Sequence, residues 1–420
     1  MPTRRDFIKQ SFGAVSVSLI LPRTLLGSVR PAALMADTRR RVLVVFQFAG
    51  GNDGLNTVIP FTDPNYQGLR PTLAFKQAGL VDAGGRSTII SDSVGFHPSL
   101  TKFKDLYDQG RVAIIREVGY AKQSDSHFTS MDIWGAANPE GAGAGKGWLA
   151  RYADQNLTNV SGLPAVTLTA LRPKALTTDT VIVTSFTPST VGQFGLNTDP
   201  AFPQDRARDI QLLNANNSAS YPEGSMLRAI SSNGLGALKD ADEVHQAVQS
   251  YNPAVTYPAT DFSSGLRLMA ALIALIPEVS VLYISLGGFD THGNQAGQHA
   301  TLLTQFSEGV SAFYSDLSAH GLADNVLMME WSEFGRRPKE NGTAGTDHGA
   351  SSSLFVFGNP VKGGIYGDPP NIAPTALDPT GNNVFKIDFR SVYATILKGW
   401  LGVDPRSVLG RDFDDIGFLS

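Results

Sequence analysis

The sequence predicts an α/β protein, a three-layer sandwich on a mostly parallel central sheet, and three observations predict it. Its strongest apolar runs are continuous and rich in β-branched residues, as strands buried on both faces are. Segments of helical periodicity lie between them. Polar clusters begin directly after the runs, on the rim where open α/β sheets bind their ligands.

The first run is Val42-Leu43-Val44-Val45-Phe46, continuing through Phe48 and ending in Gly50-Gly51-Asn52-Asp53-Gly54-Leu55-Asn56. The second, Val112-Ala113-Ile114-Ile115, leads through Val118-Gly119-Tyr120 to Ser124-Asp125-Ser126-His127-Phe128. A helix is expected from Phe128 to Ala137, with Met131 and Trp134 on one face. The third strand, Val279 to Leu286, runs into Gly287-Gly288-Phe289-Asp290-Thr291-His292. Leu302, Leu303, Phe306, Val310, Phe313 and Leu317 then recur at helical steps, and Gly321 marks the stop. Val326-Leu327-Met328-Met329 forms a fourth strand, followed by Ser332-Glu333-Phe334-Gly335-Arg336-Arg337. A loop with Gly345-Thr346-Asp347-His348-Gly349 precedes the short run Leu354 to Phe357. The unit from Val279 to Met329 should be a right-handed crossover between parallel strands.

The chain opens with Arg4-Arg5-Asp6-Phe7-Ile8-Lys9 and a mildly apolar stretch, Phe12 to Leu21. Spanning a bilayer takes about 20 apolar residues, so this reads as a twin-arginine export signal over residues 1–36. The expected mature protein, residues 37–420, is periplasmic or secreted and carries no stable membrane anchor, with the twin-arginine translocase as its partner in export. There is no cysteine, which excludes disulfides, thiolate nucleophiles and Cys-bound metals. A net charge of −4 suggests no nucleic-acid surface. With 42% hydrophobic and 17% charged residues, the chain can bury a large core. Residues 172–260, rich in Thr, Ser, Asn, Asp and Pro, read as an insertion or cap on the sheet, with a helix around Met226 to Val248.

Asn52/Asp53, Ser126/His127, Asp290/His292 and Glu333/Arg336 each follow a strand and should converge on one rim, within reach of Asp347 and His348. Carboxylates with imidazoles suit zinc, manganese or iron, and two such ions can clamp an in-line displacement at phosphorus or sulfur. A serine at a helix start, Ser126, can act as nucleophile, and Arg336 can hold substrate oxygens through its planar fork. Each residue alone has a plainer use: an aspartate after a strand is commonly a cap, a lone histidine is commonly structural, and Arg336 can close a salt bridge. Their shared placement is what favours a site. His97 should mark a helix start, His245 and His320 sit in polar helical contexts, and His299 is expected to be structural.

These motifs resemble the exported bacterial family called domain of unknown function 1501. The matching stretches are Phe48 to Asn56, Ser126 to Trp134, Gly147 to Tyr152, Leu286 to His292, Ser332 to Arg336 and Gly345 to Gly349, across nearly all of the mature chain. The family looks related to the alkaline phosphatase and sulfatase superfamily, which implies an alkaline phosphatase-like sandwich with metal on the strand rim. The resemblance implies a metal-dependent hydrolase of phosphate or sulfate esters, on a small-molecule or polymer substrate, with one or two divalent ions, zinc or manganese. The alternative is a non-catalytic protein binding an anion or polysaccharide on the same scaffold.

By that resemblance Asp53, Asp290, His292, Glu333, Asp347 and His348 are the metal ligands, and Ser126, His127 and Arg336 the catalytic residues, with Ser124 or Thr129 in reserve as nucleophile. Where the superfamily has an Asp-His pair, this chain has Glu333-Phe334. Either Asp347-His348 is the displaced pair, or Glu333 replaces the aspartate and His348 is a late third ligand. The second is favoured because Glu333 directly follows a strand. Phe334 puts a complete two-metal site in doubt.

Overall fold

The computed structural model describes residues 40–420 except 187–221, 226–242 and the single positions 159, 161, 170, 179, 182, 224 and 245. The signal at residues 1–36, His245 and most of the helix expected from Met226 to Val248 lie outside the described residues.

A nine-stranded sheet forms the middle layer. Its strands are β1 (Val42–Ala49), β2 (Val112–Gly119), β3 (Ala165–Leu168), β4 (Val183–Ser185), β5 (Val281–Gly287) and β6 (Val326–Trp331). After a hairpin of β7 (Arg336–Glu340) and β8 (Thr346–His348) come β9 (Ser352–Phe357), β10 (Gly364–Tyr366) and β11 (Ile387–Asp388). The order is β10-β2-β9-β6-β1-β5-β3-β4, with β11 also on β2. β1 lies between β5 and β6, parallel to both, with Phe46 opposite Ile284 on one side and Glu330 on the other. β9 alone runs antiparallel, between β2 and β6. β3 is too short to stand out in the sequence, and β4 makes part of the expected insertion an edge of the sheet.

Because strand side chains alternate, β1 feeds two cores. Val42, Val44, Phe46 and Phe48 pack with Phe103 of helix α1 (Thr101–Asp108), Phe262 of a later helix and Phe306. Leu43 and Val45 pack with Ile133 and Trp134 of α2 (His127–Ala136), Leu149 of α3 (Trp148–Asn156) and Tyr393. Phe262 and Phe306 belong to α4 (Asp261–Leu275) and α5 (Gln295–Ala319), and Tyr393 to α6 (Phe389–Gly399). Helices α1, α4 and α5 therefore cover one face and α2, α3 and α6 the other, which makes the three layers. Phe306 stands edge-on to Phe46 and Phe48 at 6.0 and 4.8 Å.

β1 stops where Gly50 (φ +124°) and Gly51 (φ +77°) turn the chain. A Cβ at Gly50 would lie 2.3 Å from the Asp290 backbone nitrogen, so glycine lets the loops after β1 and β5 touch.

Glu117 in β2 is buried at φ +54° and accepts a bond from Asn383 Nδ2 at 3.0 Å. Burial pushes its carboxyl from 4.5 up to about 7, only partly offset by Asn383. Between those values the folded chain keeps a proton that the unfolded chain has lost. Stability therefore falls as pH rises through that window and is level above it, by about 3 kcal/mol in all. Glu117→Gln is expected to remove this slope and to be the more stable protein at pH 8, as read by urea unfolding at pH 5 and 8. An unchanged slope would contradict the assignment.

Candidate metal centre

The loops after β2, β5 and β6 and the β7–β8 hairpin meet at the carboxyl ends of the strands. Helix α2 starts there with His127, its amino end capped by Ser126. β5 delivers Asp290 and His292, and β8 ends in His348.

Three imidazoles point the same nitrogen at one carboxylate oxygen. Nε2 of His292, His348 and His127 lies 3.0, 3.1 and 3.4 Å from Asp290 Oδ1. His292 Nε2 and His348 Nε2 are 2.9 Å apart. For His127, Asp290 and His348 one ligand atom from each falls within 4.8 Å of the others. Ligand atoms about 2.1 Å from a tetrahedral ion are themselves about 3.4 Å apart, so the spacing of these three suits a single ion, with His292 beside His348 and outside that group.

The outer nitrogens of the three rings have partners of their own. His127 Nδ1 faces Glu333 Oε1 at 2.7 Å, His348 Nδ1 donates to the Asp125 carbonyl at 2.7 Å, and His292 Nδ1 lies 3.4 Å from Asp347 Oδ1. A carbonyl or carboxylate only accepts, so Nδ1 of His127 and of His348 donates outward, and Nε2 of each ring is the atom turned toward Asp290. His127 Nε2 is buried without a hydrogen-bond partner. The same Asp290 Oδ1 also accepts from Arg336 Nη2 at 2.8 Å. Imidazoles backed by acceptors in this way are the usual second layer of a metal site.

The charges agree. Burial opposes ionisation of Asp290, but the Arg336 guanidinium and then His348 outweigh it and hold the carboxyl at about 2. The Glu333 hydrogen bond raises the pKa of His127. Asp347 is held ionised chiefly by the bond from Asn341 Nδ2, at 3.1 Å. Asp290 and His292 remain about half exposed, which leaves one side of the centre open.

Several expected roles change. Asp53 does not reach the centre: its Oδ2 takes Arg70 Nη1 at 2.6 Å and Gln295 Nε2, and Oδ1 caps the Gly54–Thr57 turn. Burial alone would raise its pKa, but Arg70 more than reverses this. Gln295 Oε1 in turn accepts from Thr291 at 3.1 Å and Thr346 at 2.6 Å, so Asp53 positions the strands that carry His292 and His348. Glu333 is fully buried and turned to Gly50 N at 2.9 Å and His127, behind the ligands rather than among them. Asp347 likewise backs His292. His127, expected as a catalytic group, falls within ligand distance of Asp290 and His348.

Arg336 is not free to hold substrate. Its Nε donates to Gly51 O at 2.7 Å, Nη1 to Thr346 O at 2.8 Å, and Nη2 to Gly50 O, to Phe289 O at 3.0 Å and to Asp290 at 2.8 Å. It ties the loops after β1 and β5 to the β7–β8 hairpin beneath the centre. Phe334 packs against the His127 and His348 rings, with centroids at 4.8 and 4.6 Å, as a wall where a second site would need a ligand. Ser126 is exposed beside His127, its Oγ accepting from Thr129 N at 3.5 Å, and Ser124 Oγ accepts from Ser126 N at 3.3 Å. His97 and His299 are buried structural groups, His97 capping a short helix and His299 bonding Asn52 at 2.9 Å. Nothing local in the sequence marks the supporting roles of Arg70, Gln295 and the Asp125 carbonyl.

Residues 39–415 match the family model described as Protein of unknown function (DUF1501). No curated protein matches the chain. Among solved structures, Ps i-CgsB in complex with k-i-k-neocarrahexaose is similar at a TM-score of 0.37 and 10% identity, over 90% of this chain and 75% of that one. Alkaline phosphatase from the Antarctic bacterium TAB5 is similar at a TM-score of 0.30 and 11% identity, over 76% of this chain and 90% of that one. Likenesses this slight carry no argument about the site.

Proposed function

The chain belongs to the family described as Protein of unknown function (DUF1501), and on that premise we propose that it is a metal-dependent hydrolase of phosphate or sulfate esters. It works with one divalent ion held by His127, Asp290 and His348, with His292 beside them. What carries this reading is the convergence of three imidazole Nε2 atoms on Asp290 Oδ1. Imidazoles with one carboxylate favour zinc or manganese over magnesium or calcium. One ion is proposed rather than two, because Asp53 is committed to Arg70 and Glu333 to His127 and Gly50. The ester class rests on the resemblance of the strand-end motifs to the alkaline phosphatase and sulfatase superfamily.

When bound, the ion supplies a Lewis acid for the ester oxygens. The chain's residues do the rest. Ser126 lies between Asp125, whose carbonyl holds His348, and His127, at the positive end of α2 where a developing alkoxide is favoured. Its Oγ attacks phosphorus or sulfur, the bond to the alcohol breaks, and the alcohol leaves with the serine proton. Water then releases the acid from the serine. Arg336 keeps Asp290 ionised and in place.

The test is hydrolysis of phosphate and sulfate esters by mature protein loaded with zinc or manganese, with and without chelator. Turnover that the chelator abolishes is expected, and none by fully loaded protein would contradict the reading. Glu333→Gln is expected to weaken metal binding about 10- to 100-fold, because a neutral amide oxygen in place of Oε1 is a weaker acceptor for His127 Nδ1 than the carboxylate. Competition with a chelator measures it, and unchanged affinity would remove Glu333 from its supporting role.

Export through the twin-arginine translocase is proposed with this function. Among the described residues no helix is long and apolar enough to cross a membrane. Arg4→Lys/Arg5→Lys is expected to keep the protein in the cytoplasmic fraction. Undiminished appearance in the periplasm would refute this route.

A further inference from the structure

A cavity of about 780 Å³ opens beside the metal centre. It is lined by the last residues of three strands, Ala49 of β1, Leu168 of β3 and Gly287 of β5. Phe128, Met131, Asp132 and Gly135 of α2 form its opposite wall. They recur at three- and four-residue steps, so one face of the helix is given to the cavity. The same helix begins with His127, and Phe128 is the next residue. Asp290 likewise follows Gly287 by three residues. Cavity and centre thus share α2 and the ends of β1 and β5.

The lining is mainly apolar, and its volume is within the roughly 300–1,000 Å³ of pockets for organic ligands. Its mouth carries an anomaly. Phe128 and Leu171 are each 84% exposed, the two most exposed large apolar side chains among the described residues, and both belong to this cavity. Scattered exposed apolar residues are ordinary, but a concentration at one concave site marks a ligand surface. Arg172 and Lys174 are balanced by Asp132 and Asp261 across the lining, so the cavity carries no excess formal charge to favour a second anionic group. Trp331 and Tyr283 offer ring surfaces deeper inside.

We infer that this cavity receives the alcohol part of the ester, and that it selects bulky alcohols with a flat apolar face over small aliphatic ones. Phe128 and Leu171 are the specificity-determining residues, which close on the alcohol while its anionic group lies at the metal centre. The substrate assignment rests on the ester-hydrolase reading; binding of the free alcohol does not.

The probe is 4-methylumbelliferone, titrated by calorimetry into the mature full chain in the presence of chelator. Binding is expected, weakened about five- to tenfold by Phe128→Ser and by Leu171→Ser. Both side chains are exposed, so both variants should fold, as circular dichroism will check. No binding to the wild type, or binding unchanged in both variants, overturns the inference whatever the metal does. With 4-methylumbelliferyl and methyl esters of the same acid, the loaded enzyme should show the higher kcat/KM on the aromatic ester, and the variants should lose that preference mainly through KM. Equal kcat/KM on the two esters overturns the selectivity. If the alcohol binds and the variants weaken it, but neither ester is cleaved, the hydrolase reading fails and the cavity stands as a ligand site.

Discussion

Asp290→Ala/His348→Ala is expected to lower the affinity for zinc or manganese by at least about three orders of magnitude, and hydrolysis with it. These residues supply the shared carboxylate oxygen and one of the three Nε2 atoms, 3.1 Å from each other. With both gone, His127 and His292 remain as two imidazoles without the acceptor on which they converge. The fold should persist. Asp290 is about half exposed, and Arg336 keeps its bonds to Gly50, Gly51, Phe289 and Thr346. Elemental mass spectrometry gives the metal content and circular dichroism the fold. A folded variant that retains its metal would place the ion elsewhere.

Ser126→Asn carries the second large effect. Asparagine caps helices as well as serine does, so α2 keeps its cap and His127 its position, while the hydroxyl is lost. If Ser126 is the nucleophile, kcat should fall at least about a thousandfold, with metal content and melting temperature close to wild type. Ser126→Ala would be the poorer test, because it also removes the cap at a cost of about 1 kcal/mol. A Ser126→Asn enzyme that keeps most of its kcat would show that attack comes from water. The serine step would then be withdrawn and the metal centre would stand.

The parts of this account legible in the sequence are those encoded locally. Continuous β-branched runs mark β1, β2, β5 and β6 because burial on both faces needs them, and strand-end placement put Asp290, His292 and His348 on one rim. What failed to read depends on distant partners. Asp53 looks like a ligand until Arg70, 17 residues on, and Gln295, 242 residues on, take its carboxylate. His127 reads only as a catalytic residue beside Ser126, and nothing local shows that Glu333, 206 residues away, takes its Nδ1 and turns Nε2 inward. Arg336 looks free because four of its acceptors are backbone carbonyls, which no residue type announces. The direction of β9 was equally silent, since a short apolar run reads the same either way.

The central claim is one ion at one place, and anomalous diffraction at the metal edge from crystals of the reloaded protein tests it most directly. A single peak is expected, about 2.1 Å from Nε2 of His127 and His348 and from an oxygen of Asp290. A peak at Asp53, a second peak beside Glu333, or no peak in protein that had been offered zinc and manganese would contradict it.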